Sequence, residues 1–427
     1  MSSVNIHPSI IQGILQAPAS KSCMQRACAA ALLKGSKTII HNYGISNDDK
    51  AAIEIIKQLG ASVLFENDAV VIESKFSTIN NQQSTININC EESGLSLRMF
   101  TPIAALMNQQ VNITGSGSLL NRPAIFFDEI LPQLSVIVES NNGKLPLVIK
   151  GPLQANEISI DGSLSSQFLT GMLFAYSFKN CGAIISVTNL KSKPYIDLTL
   201  QVMQNFGLNI PVNNNYTEFV FTKQTIPQLT NQPISYTVEG DWSNAAFLLV
   251  AGAVAGSITV TGLNLNSTQA DKAILDVLKM SDCDIRIDEN EISVTNTMPL
   301  KAFDFDSTDC PDLFPPLVVL ASYCIGTSSI KGVSRLQHKE SNRAFSLQQE
   351  FAKMGVEIIL NDDIMLVNGN TNIKGSIIDS HNDHRIAMAC AVAALKANGV
   401  TTILNANAIN KSYPNFYKDL KRVGVRI

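Results

Sequence analysis

Residues 31–42 read ALLKGSKTIIHN: an Ala/Leu-rich helical run, a break, a short β-branched strand and a closing Asn. The same grammar returns in ALMNQQVNITG (105–115), SFKNCGAIISVTN (177–189), GAVAGSITVTG (252–262), YCIGTSSIKG (323–332) and LKANGVTTILN (395–405). The closing residues are Asn42, Gly115, Asn189, Gly262, Gly332 and Asn405, at intervals of 73, 74, 73, 70 and 73. Asn and Gly tolerate positive φ, so one left-handed turn is expected at every strand end. A second phrase follows about 20 residues later, a helix ending in Gly and then a strand: KQLGASVLF, QNFGLNIPV, AKMGVEIIL and KRVGVRI. A fifth copy, LKMSDCDIRI, carries Ser281 in place of Gly, and the second unit is the least regular. Gly just past a helix is the usual left-handed cap. Near-constant spacing over six copies indicates duplication rather than ordinary α/β alternation.

Six βα units of about 70 residues therefore fill the chain. Polar, Pro-containing stretches at 16–20 and 222–236 leave three units between them and three after. The last unit stops one strand short at Ile427, and the N-terminal strand around Val4–Leu15 is expected to complete it. The expected fold is α/β with two similar domains. Residues 1–16 with 237–427 form one, holding both termini, and 17–236 the other. Two crossovers between like domains predict a hinge that closes around a substrate.

Composition narrows the function. The 427 residues are 45% apolar and 16% charged, which excludes wholesale disorder. A net charge of −4 argues against a nucleic-acid scaffold. The longest apolar stretch, Ala245–Gly256, is too short to span a bilayer. The start MSSVNIHPSI lacks a basic region and a long apolar run, so a cytoplasmic protein is expected. The eight cysteines form no Cys-x-x-Cys pair and read as reduced thiols. His381 and His384 make a lone His-x-x-His, too little for a metal site.

Polar or small-residue loops precede the apolar helices: PASKSCMQR, ESGLSLR, DGSLSSQF, EGDWSN, CPDLF and SHNDHR. Their Ser, Asp, Asn and Gly suit N-caps, and a helix start offers free N–H groups and a positive dipole end to an anion. Cations recur among these loops or just after the turns: Lys21, Arg26, Arg122, Lys193, Lys339, Arg343, Arg385 and Lys411. Arg makes bidentate contacts to phosphate or carboxylate, and Lys supplies a point charge or a proton. The ligands are expected to carry several negative charges. No phosphate-binding Gly-x-x-x-x-Gly-Lys-Ser/Thr loop, dinucleotide Gly-x-Gly-x-x-Gly or hydrolase Gly-x-Ser-x-Gly stands at a strand–helix junction. Two acids stand out. Asp312 follows a Pro at a helix start, where it is either a cap or a base. Glu340 lies between Lys339 and Arg343, where it is either an intrahelical ion pair or part of the chemistry. A carboxylate among cations keeps a low pKa and can accept a proton from a substrate hydroxyl.

PASKSCMQRA, DGSLSSQF, KSKPYID, EGDWSNAAF, CPDLFP, RLQHKESNR, NDHRIAM and NKSYPNF stand in the order found in the 3-phosphoshikimate 1-carboxyvinyltransferase (EPSP synthase) family, which the chain resembles over nearly its whole length. The resemblance implies two inside-out α/β domains, each of three βαβαββ units. It implies transfer of the enolpyruvyl group of phosphoenolpyruvate to the 5-hydroxyl of shikimate 3-phosphate with release of phosphate, a step toward chorismate, without metal or organic cofactor. By resemblance, Lys21, Ser22, Arg26, Ser165, Ser166, Gln167, Ser192, Asp312 and Lys339 bind shikimate 3-phosphate. Lys21, Gly94, Arg122, Gln167, Arg343, Arg385 and Lys411 bind phosphoenolpyruvate. Asp312, Glu340 and Lys21 are the catalytic set, with Asp312 taking the hydroxyl proton and Glu340 or Lys21 serving the methylene carbon. The resemblance also implies a monomer with no nucleic-acid or membrane partner.

One loop departs from the family pattern. ESGLSLRMF stands where many relatives have Asn-Ala-Gly-Thr-x-x-Arg-Pro, so Leu95 replaces Thr and Met99 replaces Pro while Gly94 and Arg98 remain. Altered affinity for glyphosate, a family inhibitor, is expected from the bulkier Leu95, and Arg98 reads as a helix-surface ion pair. Two rivals remain: the sister transferase acting on UDP-N-acetylglucosamine, which typically carries Lys-Asn where this chain has Lys21-Ser22 and a reactive Cys in a mobile loop, and a non-catalytic anion-binding paralogue.

Overall fold

The repeat spanning residues 158–221 shows how the phrases fold. Strand Ile158–Asp161 leads into helix Ser166–Lys179, strand Ala183–Thr188, helix Pro194–Asn205 and the hairpin Val212–Asn214/Glu218–Phe221. The first two strands are parallel, with Ile158 opposite Ile185, and the hairpin adds antiparallel strands, with Ile185 opposite Phe219. This is a βαβαββ unit. The computed structural model describes residues 2–76, 85–224, 233–289, 291–296, 299–337, 339–369 and 372–427. The same four-stranded order recurs from Thr85–Asn89 to Leu147–Lys150 and from Asp304–Asp306 to Ile364–Asn368.

The other three repeats borrow a strand. Ile234–Thr237 runs parallel to Thr38–His41 in the first, and Ile11–Gln16 runs parallel to Gly256–Thr261 in the fourth. Ser3–Ile6 pairs antiparallel with Thr401–Leu404 in the sixth. The single N-terminal strand read around Val4–Leu15 is thus two strands. Ser3–Ile6 completes the last repeat, and Ile11–Gln16 opens a different sheet. The chain divides into two compact units, Met1–Pro18 with Glu239–Ile427 (the terminal unit) and Ala19–Val238 (the inserted unit). The crossover placed at 222–236 lies partly, at 225–232, outside the described residues.

Each unit has three helices hidden from solvent: Lys21–Lys34, Gly94–Ala104 and Ser166–Lys179 in one, Trp242–Ala255, Phe314–Ser322 and His384–Ala394 in the other. From Trp242 to Val254, from Phe314 to Ser322 and from His384 to Ala394 every residue is buried. Their small and apolar residues run all round rather than along one stripe, and a helix so composed belongs inside. Within each unit the three helices touch one another. Gly171 permits the closest of these crossings: a Cβ there would lie 2.5 Å from the Arg98 carbonyl oxygen and 2.9 Å from that of Met99. The sheets lie outside the helices, which is the inside-out arrangement.

The recurring left-handed turn is present at Asn42, Asn189, Gly262, Gly332 and Asn405. Gly115 is the exception, because φ there is not positive. It is Gly for room: a Cβ would meet Leu145 Cδ1 at 2.8 Å and the Glu91 carbonyl oxygen at 3.0 Å. The second series of left-handed residues also fills all six places, at Gly60, Ser135, Gly207, Asp282, Gly355 and Gly424. Ser281 closes its helix in ordinary backbone with φ −85, and Asp282, one residue later, takes the seat that Gly holds elsewhere.

Candidate active site

Five of the six buried helices begin on a capping side chain, and these caps place the loops singled out in the sequence. Ser20, Ser93, Ser165, Asp241 and Asp383 accept from the backbone N–H of Cys23, Ser96, Gln167, Asn244 and Arg385 respectively. Such a cap is worth about 1 kcal/mol. The sixth helix, Phe314–Ser322, starts from the 3-10 turn Pro311–Leu313 with no side-chain cap. Asp312 sits in that turn, and its carboxylate is turned to cations instead.

In the terminal unit Asp312 Oδ1 accepts from Arg343 Nη1 at 2.9 Å and Lys339 Nζ at 3.3 Å. Its Oδ2 accepts from Arg385 Nη2 at 3.1 Å. The side chain remains 25% exposed, so a substrate hydroxyl can reach it. Burial works to raise the Asp312 carboxyl, but Arg385, Lys339 and Arg343 outweigh it and hold it well below the usual carboxylate range. Burial lowers Lys339, against the pull of Asp312.

Arg343 is the hub. It opens helix Arg343–Lys353 and is buried. Besides Asp312 it donates from Nε to Asp383 Oδ2 at 3.0 Å, and from Nη2 to Asp383 Oδ1 at 3.3 Å and to Glu340 Oε2. Burial acts to lower its pKa, yet Asp383, Glu340 and Asp312 together raise it above the ordinary value. Glu340 lies before the helix, so its pair with Arg343 is not intrahelical. Lys411 ends the turn Ala406–Lys411 and donates to the Asn382 carbonyl oxygen at 2.6 Å. Asp312, Lys339, Glu340, Arg343 and Arg385 form one cluster, and Lys411 reaches the 382–385 segment that supplies Arg385. His381 and His384 diverge: His381 Nε2 meets Glu350 Oε1 at 2.7 Å, while His384 is buried beside Asp383.

In the inserted unit the predicted residues fall into three neighbouring groups. Lys21 opens its helix and pairs with Asp48 Oδ2 at 2.8 Å. Arg26 is buried where three helices meet, donating to Thr199 Oγ1 at 2.9 Å, the Ser22 carbonyl at 2.9 Å and the Tyr195 carbonyl at 3.3 Å. Thr199 in turn touches Thr170 Oγ1 at 3.0 Å. Burial lowers the Arg26 guanidinium to about 10. Ser192 is held in left-handed backbone with φ 55, and its carbonyl accepts from Tyr195 N–H. In the third group Gln167 Oε1 accepts from Arg98 Nη1 at 2.9 Å. A Cβ on Gly94 would meet Arg122 Nη1 at 2.7 Å and Arg98 Nη1 at 3.0 Å, so the bare Cα lets two guanidinium groups come close. Arg122 Nη2 also donates to Ser118 Oγ at 3.2 Å. Ser165 and Ser166 begin the helix that carries Gln167. The Lys193 ammonium lies over the Tyr216 ring.

One reading changes. Arg98 is no surface ion pair: it is buried, donates to Gln167 and lies over the Phe168 ring at 5.2 Å. Leu95 and Met99 turn into the apolar core of the unit, so the replacements in that loop repack the interior beneath Gly94. Nothing in the sequence marks Asp383 or Asp48 as a site residue. An Asp before a helix reads as a cap, and nothing local shows that Asp383 also grips a guanidinium 40 residues earlier.

Comparison with known proteins agrees. The family model described as EPSP synthase (3-phosphoshikimate 1-carboxyvinyltransferase) matches residues 6–420. A 3-phosphoshikimate 1-carboxyvinyltransferase of Clostridium novyi (strain NT) is 36% identical over 431 residues, covering 99% of this chain and 98% of that protein. One from Clostridioides difficile (strain 630) is 34% identical, covering 100% and 98%. The structure of EPSP synthase from Acinetobacter baumannii shares the fold, with a TM-score of 0.82 at 21% identity, covering 100% of this chain and 99% of that one. The enolpyruvyl transferase NikO from Streptomyces tendae shares it at a TM-score of 0.76 and 16% identity, covering 99% and 97%. With full-length relatives at about a third identity and the family model matched almost end to end, this six-repeat chain belongs to the EPSP synthase family.

Proposed function

We infer that the chain transfers the enolpyruvyl group of phosphoenolpyruvate to the 5-hydroxyl of shikimate 3-phosphate, giving 5-enolpyruvylshikimate 3-phosphate and phosphate. The observation that carries the assignment of roles is the partly exposed Asp312 carboxylate ringed by Lys339, Arg343 and Arg385. Asp312 takes the 5-hydroxyl proton as that oxygen attacks C2 of phosphoenolpyruvate. In the free protein the three cations make it a weak base. Anionic substrate groups beside them offset that pull and raise Asp312 toward the range where it accepts a proton.

Lys21, as an ammonium, gives a proton to the C3 methylene in the addition. A tetrahedral ketal phosphate results. Glu340, paired with Arg343, removes a C3 proton in the elimination, and the C2–O bond to phosphate breaks. Arg122, Arg343, Arg385, Lys411 and Gln167, with Lys21 and the bare Gly94, bind phosphoenolpyruvate. Lys21, Ser22, Arg26, Ser165, Ser166, Gln167, Ser192 and Lys339 bind shikimate 3-phosphate, with Asp312 at its 5-hydroxyl. Fixed cations stabilise charge growing on carboxylate and phosphate oxygens. The protein works as a monomer in the cytoplasm. The location is supported by its eight cysteines, which are free thiols.

Phosphate release with each substrate omitted in turn tests the reading. Release only with both supports it. Release with UDP-N-acetylglucosamine in place of shikimate 3-phosphate points to the sister transferase, and no release at all to a non-catalytic paralogue.

A further inference from the structure

Helix Arg343–Lys353 grips the segment 379–383 at two points. Arg343 holds Asp383 at its first turn. Seven residues on, two turns along the same face, Glu350 holds the segment again. Glu350 is fully buried. Its Oε2 accepts from Asp379 N–H at 3.0 Å, its Oε1 meets His381 Nε2 at 2.7 Å, and Lys353 Nζ reaches both oxygens.

The segment so held is strained. His381 and Asn382 are consecutive non-glycine residues in left-handed backbone, with φ 52 and 53. Backbone of this kind persists only where its surroundings over-determine it. The anchors are visible: Asp379 Oδ1 accepts from His381 N–H at 2.8 Å, and Ser380 Oγ accepts from Asn382 N–H at 3.2 Å. What this turn presents is the cationic side of the site. The Asn382 carbonyl receives Lys411, Asp383 receives Arg343, and Arg385 follows directly.

We propose that Glu350, acting through His381, is a positioning residue for Arg385 and Lys411, fixing the strained 380–383 turn and so setting affinity for the anionic enolpyruvyl donor. The proposal rests on the phosphoenolpyruvate assignment made above. Glu350 touches no reacting atom. Its isolated function is to keep two cations in register, so its loss reads out as a selective KM effect.

The test measures both KM values and kcat for Glu350→Gln, His381→Ala, the double variant and Arg385→Ala, with melting temperatures alongside. Glu350→Gln and His381→Ala are expected to raise KM for phosphoenolpyruvate about tenfold, leaving KM for shikimate 3-phosphate within about twofold. The double variant loses no more than the worse single one, because both break one device. His381→Gln, which keeps a donor, recovers most of the loss. Should Glu350→Gln fail to fold, His381→Ala, on a partly exposed side chain, carries the test. Unchanged KM for phosphoenolpyruvate in His381→Ala, or equal rises in both KM values with a lowered melting temperature, overturns the proposal while Arg385→Ala still weakens phosphoenolpyruvate. If Arg385→Ala itself leaves that KM unchanged, the donor-site assignment falls and the proposal with it.

Discussion

Arg343 and Arg26 are each 1% exposed, yet the two units treat their charges in opposite ways. Arg343 is surrounded by the carboxylates of Asp312, Glu340 and Asp383, which raise its pKa. Arg26 is surrounded by two carbonyls and a hydroxyl, and burial lowers it to about 10. A buried ion with no counter-ion is costly unless something charged arrives to meet it. The contrast divides the labour. In the terminal unit Arg343 holds and orients acids, and in the inserted unit Arg26 keeps its charge among neutral acceptors.

The largest effect expected is on turnover. Asp312→Ala removes the acid that Lys339, Arg343 and Arg385 orient, and kcat should fall by about three orders of magnitude, within the range for a general base. KM for shikimate 3-phosphate should move less than about threefold. An unchanged kcat would leave the cluster as a folding device only. Next, Arg343→Met strands the fully buried Asp383 without its guanidinium. Breaking such a pair costs about 3–5 kcal/mol, measurable as a lowered urea midpoint. Arg26→Met sharpens the comparison from the other side. It removes a buried charge that has no carboxylate partner among the described residues, and the desolvation so relieved offsets the hydrogen bonds lost, so stability should change by less than about 1 kcal/mol. KM for shikimate 3-phosphate should rise about tenfold to a hundredfold, the worth of a charge-assisted contact. Equal stability losses in the two variants would erase the distinction.

How far this could be read in advance depended on where each signal sat. The repeat was legible because Asn and Gly mark left-handed turns, and five of the six marked positions adopt one. The second series was only partly visible, because Ser135 and Asp282 take the left-handed seat without the residue that advertises it. The N-terminal segment read as one strand because nothing local shows that Ser3–Ile6 and Ile11–Gln16 serve different sheets. The cations of the site stood out by recurrence, but their partners did not. Asp383 lies 40 residues from Arg343 and looks like a cap, and Arg98 looks like a surface charge until helix packing at Gly171 encloses it. Local chemistry announces caps and turns. Contacts across repeats appear only once the sheets and helices are assembled.

The same contrast holds among acids, with a smaller consequence. Asp383 is fully buried against Arg343, whereas the buried Asp49 accepts only from Ser46, through the backbone N–H at 3.1 Å and Oγ on the same carboxylate oxygen. Burial pushes Asp49 up to about 7, against the lowering by the two Ser46 contacts. Its unfolded value is about 3.9. A carboxyl raised on folding binds more protons folded than unfolded between those values, so the stability that Asp49 contributes is greatest below about pH 4 and is lost as pH rises through about 7. Asp49→Asn keeps an acceptor for Ser46 and removes the titration. The fall in melting temperature between pH 5 and pH 8 should therefore shrink by about 5–10 °C, because about two pH units of linkage come to about 3 kcal/mol in a unit of this size. A variant that kept the whole slope would mean that the Asp49 carboxyl is ionised in the folded protein and that a cation reaches it, as Arg343 reaches Asp383.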